Sequence, residues 1–158
     1  MPVPSQDTER VFAELGRCLV AYQSIELMLK LVLPHVSRTE AEARPPANVN
    51  WRELLDSKET LGGLLKLFSR RTSSSNEEVT SQVLGTLVQH RNEVVHHFLQ
   101  QPFSHIETEQ QYQEAMRFLS ARRATATAFL VPLQALVSEF STALRSANAT
   151  SETPKGAA

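Results

Sequence analysis

Residues 76–100 read NEEVTSQVLGTLVQHRNEVVHHFLQ. Their larger apolar residues are Val79, Val83, Leu84, Leu87, Val88, Val94, Val95, Phe98 and Leu99. Leu84, Leu87, Arg91, Val94 and Phe98 follow alternating steps of three and four, the mark of one helical face, and predict a helix from about Asn76 to Gln100. Ser75 and Glu78 have the spacing of a capping box at its start, and Pro102 supports its stop. Arg91 occupies a place where this pattern asks for an apolar side chain. A guanidinium there keeps its proton and needs an anionic or carbonyl partner. Asn92 and His96 stand four apart and share a second, polar face. On an ideal helix Arg91 and His96 point about 140° apart. One copy of the helix therefore does not easily aim both at one small group, although the Arg side chain is long, whereas two copies facing each other could make such a site.

Outward from this run, every segment reads as helix or loop and none as strand. The first helix is expected from Asp7 or Thr8, either of which could cap it, to Leu33 before Pro34. Its stripe is read as Phe12, Leu15, Leu19, Tyr22, Glu26, Leu29 and Leu33, so Glu26 interrupts it as Arg91 interrupts the later one. Either the two meet, or both lie at the bundle's edge and reach water. Residues 34–49 read as a loop. A helix from Trp51, capped by Asn50 and Glu53, is expected to run to about Phe68, with Gly62-Gly63 dividing it. Arg70 and Arg71 end it, favourable for the helix dipole and weak candidates for holding a polyanion. A long helical segment follows from about Glu107 to Ala147, with Tyr112, Met116 or Leu119, Phe129, Leu133, Leu136, Phe140 and Leu144 inward. Pro132 is expected to kink or interrupt it. Arg117, Arg122 and Arg123 make its middle basic, and Arg122 and Arg123 are further weak substrate-binding candidates. Residues 1–6 and 148–158 are expected to be disordered, leaving one helical domain over 7–147.

Composition narrows the function classes. The chain has 158 residues and a formal charge of -1, so no strong general attraction to nucleic acid is expected, which argues against a stoichiometric coat. Arginine outnumbers lysine twelve to four, and Arg suits bidentate phosphate contacts. Cys18 is alone, which removes intrachain disulfides and cysteine-based zinc sites. No signal peptide and no spanning apolar run is read, so a cytoplasmic location is expected and no membrane partner. His90, His96 and His97 lack the spacing of a helical metal pair, so no metal and no cofactor is expected.

The sequence Arg91-Asn92, four residues between Arg91 and the histidine, then His96, resembles the motif of the HEPN superfamily. That motif is an Arg, usually followed by a polar residue, with a His after four to six intervening residues. The resemblance implies an all-α bundle of four or five helices, a symmetric homodimer, and a motif-lined cleft between subunits. Glu26 is a candidate for the polar residue that often accompanies the motif from the first long helix. The implied activity is metal-independent endoribonuclease chemistry, leaving 2′,3′-cyclic phosphate ends. Histidine exchanges protons near neutrality and a fixed guanidinium steadies a charged phosphorane. Arg91, Asn92 and His96 are therefore the candidate catalytic residues, with Glu26 supporting. His97 is either a second proton carrier or a polar surface residue. HepT-like members carry a Tyr two residues after the His. Phe98 stands there, which puts modification by a partner nucleotidyltransferase in doubt. RNA, a second copy of the chain, and an antitoxin or regulatory protein in toxin or phage-defence settings are the implied partners. The alternative is a non-catalytic HEPN-like module for dimerisation or for binding RNA or nucleotides.

Overall fold

A computed structural model describes residues 5–33, 58–71 and 77–151. Among them are four α-helices and no strand: α1 (Gln6–Val32), α2 (Leu61–Arg71), α3 (Glu77–His96) and α4 (Glu109–Ser151). The expected all-α class is therefore correct at that level. A 3-10 turn, Phe98–Gln100, follows α3. The expected loop after Pro34, the helix from Trp51 with its Asn50 and Glu53 cap, Ser75, and the final residues of the tail lie outside the described residues, as do the side chains of Glu78, Arg71 and Leu144. No helix of the described residues is long and apolar enough to cross a membrane.

The local sequence sets the helix ends, in places differently from expectation. Ser5, not Asp7 or Thr8, caps α1, its hydroxyl accepting from the Thr8 amide at 3.2 Å. Thr60 precedes α2 in the same way, its carbonyl accepting from Leu64 at 3.0 Å. Gly62 and Gly63 thus sit in the first turn of α2 and do not divide a helix. At α4 the Gln111 amide donates to the Thr108 hydroxyl at 3.2 Å, and the Gln111 side chain accepts from the Thr108 amide at 3.0 Å. This reciprocal capping box starts α4 at Glu109, after the expected Glu107. Pro132 neither ends nor divides α4, which continues to Ser151, past the expected Ala147. Proline removes one backbone bond, and here it does so on an exposed face, where water serves the orphaned carbonyl.

The α1–α4 pairing is the main axis of the molecule. Glu14 meets Arg123 while Cys18 meets Leu119, so the two helices run antiparallel. The buried stripe of α1 is Val11, Glu14, Cys18, Tyr22, Ile25, Leu29 and Val32. This corrects the predicted stripe over its first half: Phe12 is 48% exposed and Glu14 is buried. The opposing residues on α4 are Ala115, Leu119, Ala126 and Leu133, all buried. The two alanines, absent from the predicted core, lend α4 a narrow face onto which α1 settles. Leu61, Leu64 and Leu65 of α2, and Leu84, Leu87 and Val94 of α3, complete the core. Phe98 plugs the turn after α3, with Phe103 and Phe118 at ring distances of 6.4 and 6.5 Å.

Polar groups fix the register of this core. The Cys18 thiol donates to the Leu119 carbonyl at 3.3 Å, and burial pushes its pKa up to about 11. The Tyr22 hydroxyl donates to the Arg122 carbonyl at 3.1 Å. Glu14 accepts from Arg17 at 2.9 Å and from Arg123 at 2.5 Å. Burial alone would raise the Glu14 carboxyl, but the bonds and charges of these two arginines outweigh it and hold it low. Between α3 and α4, Arg122 donates to Glu93 at 2.7 Å while stacking over Phe118, 3.6 Å from the ring centroid. Burial opposes ionisation of Glu93 too, yet Gln89 and Arg122 hold it low. His90 lies beside this pair with its Nδ1 buried and without a hydrogen-bond partner among the described residues. Burial, and then the Arg122 charge, depress its pKa.

The shifts of Glu14, Glu93 and His90 have the same sign for stability. Each group binds its proton more weakly folded than unfolded, so its contribution is full above the unfolded pKa and fades as pH falls. Stability should therefore decline in two stages, first below the ordinary histidine value of 6.5 through His90, then below 4.5 through Glu14 and Glu93. Urea titrations from pH 8 to pH 3 will read both. Glu14→Gln should lower stability by ~1–2 kcal/mol at pH 7, since the arginines left behind regain water. It should also shrink the second stage and leave the first intact.

Candidate functional site

The motif lies at the C-terminal end of α3, where the helix stops. His96 is its last residue, and His97 leaves the helical region with φ -120 and ψ 3. The expected continuation of the α-helix to Gln100 is thus replaced by a 3-10 turn. Beyond this break Phe98 is buried while the histidine pair stays exposed.

Arg91, although on the stripe that faces the core, extends toward the helix end. Its Nη1 lies 2.9 Å from His96 Nε2 and donates to Asn92 Oδ1 at 3.3 Å. The expectation that one copy would not easily bring Arg91 and His96 to one point is therefore wrong. The Arg side chain is long enough to span the angular gap between the two positions. A guanidinium has no acceptor, so this contact requires the neutral histidine tautomer with its proton on Nδ1 and its Nε2 lone pair turned to Arg91. Arg91 Nη2 lies 3.7 Å from Glu26 Oε1. The two interrupting residues do face each other across α1 and α3, as an ion pair too long for a hydrogen bond and a fifth to a quarter exposed.

His97 shares the site. Its ring sits 6.3 Å from that of His96 in an edge arrangement, and its Nδ1 lies 3.1 Å from Gln100 Oε1. An amide oxygen accepts, so the His97 Nδ1 carries a proton in this contact. Its Nε2 has no protein partner among the described residues. Together Arg91, Asn92, His96 and His97 line a hollow of about 480 Å³ with Val88 beside them. Thr60, Leu61 and Gly62 form the opposite wall. That volume is within the ~300–1,000 Å³ of ordinary ligand sites. The wall at Thr60 was not read from the sequence. Its signal is a threonine before Leu-Gly-Gly, a helix start whose missing side chains leave room.

The other basic candidates do not join the site. Arg122 is paired with Glu93 and Arg123 with Glu14 across the helix packing, and neither lines the hollow. Arg70 is exposed on α2, beyond the hollow. Among the described residues no group of three His, Cys, Asp or Glu side chains is placed to hold a metal ion. No family model, curated protein or solved structure matches this chain.

The geometry makes Arg91 a weak contributor to stability. Its one carboxylate is distant and partly solvated, and such pairs are worth ~0–1 kcal/mol. Arg91→Ala should therefore lower the unfolding free energy by about 1 kcal/mol or less. A loss of several kcal/mol in urea denaturation would make Arg91 a structural residue instead.

Proposed function

We propose that the chain is a metal-independent endoribonuclease of HEPN type acting as a symmetric homodimer. The observation that supports this reading best is the 2.9 Å contact between Arg91 and His96 at the mouth of an open hollow. It places a fixed cation and a neutral imidazole at one point, where a phosphate diester and its neighbouring hydroxyl would both be served.

In the proposed step the scissile phosphate takes the Arg91 guanidinium, with Asn92 donating to a second phosphate oxygen. His96, released from Arg91, accepts the proton of the ribose 2′-OH. The 2′-oxygen bonds to phosphorus, the bond from phosphorus to the 5′-oxygen breaks, and that oxygen receives a proton. Attack and departure occur on opposite sides of phosphorus, so one imidazole does not serve both. The partner subunit's His96 supplies the second proton carrier. Val95 and Leu99, 39% and 72% exposed, flank the motif and offer a second copy an apolar edge. Glu26 holds Arg91 from behind, against α1. The products are a 2′,3′-cyclic phosphate and a 5′-hydroxyl, so DNA is not a substrate. A toxin or phage-defence setting, with an antitoxin or regulatory protein as partner, fits such an activity.

Labelled RNA incubated with the protein in EDTA should be cut to cyclic phosphate ends, and His96→Ala and Arg91→Ala should each reduce the rate by ~10²-fold or more. Cutting by all three would assign the activity to a contaminant. Inert wild-type protein would favour a binding module.

Leu99→Asp gives a separate test. It should shift sedimentation from dimer to monomer at micromolar concentration and abolish cleavage while the far-UV circular dichroism stays that of a folded helical chain. A wild-type monomer that cleaves RNA would remove the two-copy mechanism.

A further inference from the structure

The hollow at Arg91 and His96 adjoins another between α2 and α3. Gly62 and Val88 line both, and the second hollow has a volume of about 280 Å³. Residue 62 adds no side chain between the two. A Cβ there would already lie 3.8 Å from Val88 Cγ1, so a longer side chain would stand between them. Among the α3 residues that line the two hollows, Ser81, Gly85, Val88, Asn92 and His96 are spaced by four, three, four and four. They form one straight face about 22 Å long at the ~1.5 Å rise of a helix.

The far wall is cationic. Lys66 and Arg70 stand one turn apart on α2, both exposed and both lining the second hollow. Neither meets a carboxylate among the described residues, whereas Arg122, Arg123 and Arg91 all do. The floor is apolar at Leu65, Leu84 and Val88, and the hydroxyls of Ser69 and Ser81 stand at the rim. Cations unpaired among the described residues, over an apolar floor, suit a chain of phosphates with sugars and bases between them. A furrow between two packed helices takes one strand, not a duplex.

We propose that this second hollow seats single-stranded RNA beyond the bond to be cut, with backbone phosphates on Lys66 and Arg70. The choice of RNA rests on the ribonuclease reading of Arg91 and His96. The seating rests on the groove and its charge.

The test separates the two. Full-length protein carrying His96→Ala, which prevents cutting, is titrated with a labelled single-stranded RNA at several salt concentrations. Adding Lys66→Gln with Arg70→Gln should weaken binding about 25-fold at 0.1 M salt and flatten the salt slope by about 1.4, from ~0.7 per lost phosphate contact. Arg145→Gln, which removes one charge on a distant exposed face, should change neither. Gly85→Leu should also weaken binding, with no fall in melting temperature. Nothing lies within 4 Å of a Cβ at Gly85, and leucine is the better helix former. Unchanged binding in both groove variants would overturn the proposal and leave the reading of Arg91 and His96 standing. So would absence of RNA binding by the His96→Ala protein, or equal weakening of a double-stranded RNA. Weakened binding in the variants, together with inert wild-type protein, would keep the groove and remove the nuclease.

Discussion

The close approach of α1 and α4 is the constraint on which the rest of the molecule depends. It requires small or slender side chains at the seam, and Cys18, Ala115 and Ala126 provide them. Once the helices are this close, a buried carboxylate at Glu14 is within reach of arginines on both helices, and a thiol and a phenol find backbone carbonyls across the gap. These bonds are directional, whereas the apolar contacts around them tolerate sliding. They specify one register of the pair. α2 and α3 then pack on a platform whose position is already determined, and the motif's geometry is inherited from it through Glu26 on α1 and Arg122 on α4.

The fold class was legible because each described segment carries apolar residues at helical spacing and none carries the alternation of a strand. The finer errors share one physical origin. Stripe reading favours large apolar residues, so it selected Phe12 over Val11 and passed over Glu14, Ala115 and Ala126. In a close-packed helix pair the interface belongs to residues that fit, and the larger ones move to the flanks. Periodicity also carries no information about charge pairing between distant segments. Arg122 and Arg123 looked available because Glu93 and Glu14 are 29 and 109 residues away in sequence.

The candidate site was legible as a set of residue types and not as a geometry. The position of Arg91 on an apolar stripe announced a guanidinium needing partners, and Glu26 was its natural counterpart. The ideal-helix argument failed at His96 because it treated side chains as rays from the axis. An arginine is long enough to reach forward along the helix to its end, and the chain stops being helical at His97. The wall at Thr60 and Gly62 was invisible for another reason. A hollow is made by what is missing, and no periodicity marks an absent side chain.

The placement of Cys18 has a consequence for the chemistry of the whole chain. The lone thiol is fully buried, donates to Leu119, and resists ionisation. An oxidant or an alkylating reagent acts on the thiolate, and neither meets it while α1 and α4 are closed. Damage at this sulfur is therefore rationed by how often the helix pair parts. The cysteine is a recorder of that opening: the fraction modified after a given time measures the conformational work of separating the two longest helices.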